Sequence, residues 1–140
     1  KRLASGEIVR LFADTRAVEE AWYRKTGIFP IMHVVCVKRD VFDANRWIAM
    51  NLYAAFEEAK RRSLARMTDI AAAHTPLAWA VDHARGLQAL MGEDCWPYGI
   101  EPNRPTLEAF TRYAYEQGVA QRKVEVDELF PPEVHRRVKV

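Results

Sequence analysis

Apolar residues recur with helical spacing in four stretches of the chain and run almost without interruption in a fifth. Val18, Ala21 and Trp22 share one face of a predicted helix over Ala17–Arg24, which Thr26 and Gly27 stop. From about Trp47 to Met67, Ile48, Leu52, Ala55, Phe56, Ala59 and Ser63 form one stripe, with Glu57, Glu58, Arg61 and Arg62 elsewhere. A third helix is predicted from Thr75-Pro76, a cap followed by proline, to Met91, with Leu77, Val81, Ala84, Leu87 and Met91 inward and Gly92 ending it. The fourth runs from Arg104 or Pro105 to Gln117 on Leu107, Phe110 and Ala114, with Gly118 just past its end. Asp40 or Asp43 caps a short helical turn ahead of the second. The fifth stretch, Ile31 to Val37, reads Ile-Met-His-Val-Val-Cys-Val, the pattern of a strand covered on both faces. Such a strand needs neighbours at both edges, yet only short candidates, Glu7–Phe12 and Val124–Val126, are left to pair with it. Residues 119–140, charged and broken by Pro131-Pro132, predict a mostly irregular tail.

Composition narrows the class. At 140 residues, 49% hydrophobic and 29% charged, the chain reads as one soluble domain able to bury about 68–70% of its unfolded surface. No apolar run approaches the ~20 residues of a membrane span, so no membrane partner is expected. The charge of +2 is the difference between 21 basic and 19 acidic residues, too even for a dedicated nucleic-acid binder. Lys60-Arg61-Arg62 accordingly reads as a solvated helix face, supported by the i,i+4 pairs Glu57–Arg61 and Glu58–Arg62. Cys36 and Cys95 lie far apart without metal-ligand spacing, which argues against a disulfide or a zinc site; Cys36 reads as a buried thiol. The chain opens on Lys1 rather than Met, leaving room for a signal peptide or other residues ahead of it.

Three places combine polar groups with aromatic or rigid neighbours. In Thr26 to His33, Gly27 and Pro30 feed the predicted strand, and His33 there is either a hydrogen-bonded core histidine or an acid/base group at a strand end. The loop Asp94-Cys95-Trp96-Pro97-Tyr98-Gly99-Ile100-Glu101-Pro102-Asn103-Arg104 is richer than a connection requires. Its plain reading has Trp96 and Tyr98 closing the core, Asn103 capping a helix and Arg104 in water. Around Asp14 to Tyr23, Asp14 or Thr15 is a helix cap and Glu19 and Glu20 suit the helix dipole. His74, His83 and His135 are weaker candidates, and no P-loop, dinucleotide fingerprint, HExxH or serine elbow occurs.

Arg24-Lys25-Thr26-Gly27-Ile28-Phe29-Pro30-Ile31-Met32-His33, the strand-like run, Lys38-Arg39-Asp40, an Ala/Phe/Glu-rich helix and the loop from Asp94 to Arg104 together resemble the C-terminal part of the 4,5-dihydroxyphthalate decarboxylase family, over about Val9 to Pro132. The resemblance implies an α/β chain that is the helix-rich C-terminal portion of a type II periplasmic-binding-protein-like two-lobed fold, residues 1–140 forming one part of it. The sheet partners of Ile31–Val37 would then be encoded mainly before Lys1, and the piece alone would be inactive and expose apolar surface. One departure stands out: Ile8 joins Val9 directly where the family carries a further strand and loop.

The implied reaction is non-oxidative loss of carbon dioxide from 4,5-dihydroxyphthalate to give protocatechuate, without metal or other cofactor. The implied partner is a small aromatic dicarboxylate, with a homo-oligomer left open. His33 would be proton donor or phenol partner, Arg104 or Arg16 the carboxylate anchor, and Trp96 with Tyr98 the ring wall, Phe29 and Asn103 lying beside them as substrate-binding residues. The enzyme would be cytoplasmic, or periplasmic if a signal peptide precedes Lys1. The competing readings are a non-catalytic binding protein for a small carboxylate and a decarboxylase of another aromatic or heterocyclic acid.

Overall fold

The computed structural model describes residues 5–71 and 76–135. The Asp14 carboxylate starts the first helix by accepting the Ala17 N–H at 3.0 Å, and Gly27, at φ 66°, ends it by donating to the Tyr23 carbonyl. Helix α1 therefore spans Thr15–Thr26. Short α2, Arg39–Ala44, follows Lys38 rather than an aspartate cap and buries Phe42. Helix α3 spans Ile48–Met67, α4 Ala80–Met91 and α5 Ile100–Glu116. Two single 3₁₀ turns, Val126–Glu128 and Pro132–Val134, complete the described chain. None of these helices is long and apolar enough to cross a membrane. The helix-rich expectation holds; no strand forms among the described residues.

Several expectations need correcting, each for a local reason. Ile31 to Val37 is an open segment without secondary structure, with Val34 and Val35 63% and 66% exposed, because no described strand lies at either edge. Cys36 is exposed with it. Glu7–Phe12 and Val124–Val126 are not strands either. Helix α4 begins at Ala80 rather than at Thr75-Pro76, since Trp79 turns left-handed (φ 57°) immediately before it; Thr75 and His74 lie outside the described residues. Leu77 is thereby left exposed. Helix α5 starts earlier than expected, so Asn103 sits within it instead of capping it. Its buried residues include Ile100, Leu107 and Thr111, and Phe110 faces outward. The inward face of α3 is also turned by one position: Tyr53, Glu57, Lys60 and Leu64 are covered, while Phe56, Ala59 and Ser63 are exposed.

The main apolar cluster joins Ile100 and Leu107 of α5 to Val126, with Phe130 and Val134 against it. The tail is held besides by Arg46 on Glu133 at 2.6 Å and by the His135 ring on the Phe130 carbonyl at 2.9 Å. Arg122 grips Glu128 with two bonds, 3.1 and 2.6 Å, and the Glu125 N–H donates to the same carboxylate at 2.9 Å. These contacts hold the Glu128 carboxyl down at about 2 from an ordinary 4.5. A pKa depressed by folding stabilises fully above the ordinary value and loses that contribution as pH falls through the folded one. The Glu128 side chain is therefore expected to titrate near 2 by NMR, with its bonds to Arg122 and the Glu125 N–H loosening between pH 4.5 and 2. A midpoint near 4.5 would show that the turn does not form in solution.

Candidate functional site

The loop between α4 and α5 is built around a caged lysine. Lys60 projects from α3 with its side chain only 6% exposed, and its ammonium donates to Glu57 Oε1 and Asp94 Oδ2, both at 2.8 Å. It also lies 4.9 Å from the centre of the Tyr98 ring. Burial alone would lower the Lys60 pKa, but the bonds to Asp94 and Glu57 outweigh it and raise the pKa, so the group stays cationic. Cys95, next to Asp94, is buried, and burial pushes its thiol pKa up. Asp94 Oδ1 is buried without a hydrogen-bond partner among the described residues. Lys60 thus ties the loop to α3 across a long stretch of chain. The expectation of a solvated basic cluster holds for Arg61 and Arg62, both exposed on Glu58, and fails for Lys60.

The turn beyond Lys60 is equally constrained. Gly99 has φ 93°, and a Cβ there would lie 2.8 Å from the Tyr53 hydroxyl, so no other residue fits without displacing that ring. The Tyr53 hydroxyl donates to the Tyr98 carbonyl at 3.5 Å. From within α5 the Asn103 amide donates to the carbonyls of Pro97 (2.8 Å) and Gly99 (2.9 Å), fastening the turn to the helix that follows it. Trp96 is left 42% exposed and meets Phe29 edge-on, with ring centres 5.6 Å apart. The Phe29 N–H also donates to the buried Thr106 hydroxyl at 3.3 Å.

The structure thus brings Phe29 against Trp96, while Asn103 holds the carbonyls of Pro97 and Gly99 on either side of Tyr98. Arg104, at its end, donates through Nε and Nη2 to Glu101 (2.6 Å) and Asp127 (2.9 Å), bonds that raise its pKa. Arg104 also lines a groove of about 570 Å³ between α5 and the 126–128 turn, whose walls carry charges of both signs. Arg16 stands apart on α1, bonded to Glu20 at 2.7 Å beside Gly86 of α4. His33 is exposed and makes no hydrogen bond or ion pair among the described residues. Sequence reasoning missed Lys60, Tyr53 and Thr106. The i, i+4, i+7 spacing of Tyr53, Glu57 and Lys60 was the available signal for the first two.

Among the described residues no group of three or more His, Cys, Asp or Glu side chains could hold a metal ion. No family model matches the chain. It is similar to 4,5-dihydroxyphthalate decarboxylase of Comamonas testosteroni, at 31% identity over 126 residues, 90% of this chain. The chain spans 38% of the length of that relative.

Proposed function

We propose that this chain, a relative of the 4,5-dihydroxyphthalate decarboxylase family over nine-tenths of its length, is part of a cytoplasmic carboxy-lyase that converts 4,5-dihydroxyphthalate to protocatechuate. The observation that carries the reading is the Phe29–Trp96 contact, which brings the segment Arg24–His33 and the loop Asp94–Arg104 together as one aromatic face. The two-lobed, periplasmic-binding-protein-like α/β architecture belongs to the same proposal, with this chain as its helix-rich C-terminal part.

The chemistry asks little of the protein. An ionised hydroxyl para to the departing carboxylate pushes electron density onto the ring carbon that bears it, and that carbon takes a proton. The C–C bond then breaks, its electron pair restores the aromatic ring, and carbon dioxide leaves; one proton has replaced one carboxylate. His33 is assigned the proton transfer, Arg104 or Arg16 the retained carboxylate, and Trp96, Tyr98 and Phe29 the ring faces, with Asn103 holding the turn that carries them. For Arg104 this means binding substrate while Glu101 and Asp127 compete for the same cation.

The test is to supply 4,5-dihydroxyphthalate to the chain, alone and co-expressed with the part of the Comamonas enzyme it does not span, and to follow substrate loss and carbon dioxide release together. Release equal to substrate loss is the expected result. Binding without release would move the chain to the solute-binding class, and neither binding nor release would overturn both readings.

A further inference from the structure

Two side chains one turn apart on α5 hold the two halves of the aromatic face. Asn103 fixes the loop through the carbonyls of Pro97 and Gly99, and Thr106, three residues on and on the same side of the helix, accepts the N–H of Phe29 at 3.3 Å. The Thr106 bond reaches across 77 residues of chain. Phe29 and Trp96 then meet edge-on, with their ring planes at 68°, so that loop, segment and helix form one closed set of contacts.

Packing alone does not call for a threonine at this position. Thr106 is only 8% exposed, and valine would fill the same space without a hydroxyl that burial leaves in need of a partner. Thr111, the other buried threonine of α5, turns its hydroxyl onto its own helix and donates to the Glu108 carbonyl at 3.2 Å. Thr106 instead takes an N–H from outside the helix. The path of the chain into that bond is already narrowed: Gly27 closes α1 in the left-handed region, and the Ile28 N–H donates to the Thr26 hydroxyl at 3.1 Å. Pro30 in turn keeps Phe29 out of helical geometry. What these three leave open is how close Phe29 comes to α5, and the Thr106 hydroxyl sets it.

We propose that Thr106 is a positioning residue of the candidate site: by holding the Phe29 N–H it seats the Phe29 ring against Trp96, and with Asn103 it makes the start of α5 the template of the ring-binding wall. A flat substrate ring lying on one of the two aromatic side chains is then bounded by the other. That substrate lies on this wall rests on the functional reading above; the hold on Phe29 does not.

In the parent chain the Phe29 amide, after correction for sequence, is expected to exchange about fivefold more slowly than the amides of Met32 and Val34, which make no hydrogen bond among the described residues. Thr106→Val, which keeps the shape and removes the acceptor, is expected to abolish that difference together with the cross-relaxation between the Phe29 and Trp96 rings. Thr106→Ser restores both, and Thr111→Val changes neither. In the carbon-dioxide-releasing complex Thr106→Val is expected to raise KM about fivefold with kcat changed less than about twofold; simple destabilisation removes active enzyme and would lower kcat instead. A parent Phe29 amide that exchanges like Met32, a ring contact that survives Thr106→Val, or an equal loss in Thr111→Val overturns the proposal. Loss of the ring contact with KM unchanged leaves the hold on Phe29 standing and removes the wall from substrate binding. A parent complex that releases no carbon dioxide overturns the assigned reaction, and the amide and ring measurements still decide the role of Thr106.

Discussion

Replacing Lys60 by Met is expected to lower the stability of the chain by about 2–3 kcal/mol, read as a fall in the denaturant midpoint at unchanged slope. The methionine keeps an apolar stem against Tyr98 but leaves Glu57 and Asp94 facing each other without the cation both now bind at 2.8 Å. Losing one partner of a fully buried pair costs roughly 3–5 kcal/mol; the smaller figure applies because Glu57 is 27% and Asp94 39% exposed, so water takes up part of the loss. Two companions separate charge from shape. Lys60→Arg is expected to recover most of the loss, and Lys60→Met with Asp94→Asn to recover part of it, since the second change removes one stranded charge. A Lys60→Met chain that unfolds at the parent's midpoint would show that the cage does not hold the loop.

Replacing His33 by Gln is expected to cut turnover by the carbon-dioxide-releasing complex about 10²-fold or more. Glutamine preserves a side chain of similar reach that can donate and accept hydrogen bonds, but it cannot pass a proton to a ring carbon near neutral pH. The loss should therefore fall on kcat, with KM little changed, because binding through the arginine and the aromatic faces is retained. In the chain alone the same substitution should leave helix content and thermal stability as they were, since His33 is exposed and makes no hydrogen bond or ion pair among the described residues. Undiminished turnover would remove His33 from the reaction, and a loss confined to KM would make it a binding residue.

Helix ends were the most legible part of the sequence, because they are decided by a few local bonds. Asp14, Gly27, Gly92 and Gly118 each stand where their side chain, or its absence, satisfies a helix terminus. Helix starts near proline were less so. Pro102 falls in the first turn of α5, where its missing N–H has no helical partner to lose, while Pro105 lies inside the helix and forgoes the bond to the Glu101 carbonyl, yet the helix reaches back to Ile100. Which face of α3 turns inward could not be read from hydrophobicity alone, because its most buried side chain is a lysine made tolerable by two carboxylates, one of them on a distant loop. The Phe29–Trp96 contact was beyond local reading altogether: Trp96 stands out in a loop richer than a connection requires, while Phe29 enters only through the family resemblance. The strand at Ile31–Val37 was read from a pattern that reports what a segment needs around it, and the described chain does not supply it.

The cluster of Ile100, Leu107 and Val126 bears on how the chain folds. All three residues belong to one contiguous stretch, so closing it requires only a short loop and no search across the whole chain. The C-terminal half can thus assemble early and on its own, as helix and turn meeting within a brief diffusive step. Ile31–Val37, which makes no backbone hydrogen bond among the described residues, has no such local closure and is the part of the chain most exposed to wrong pairings while the rest folds.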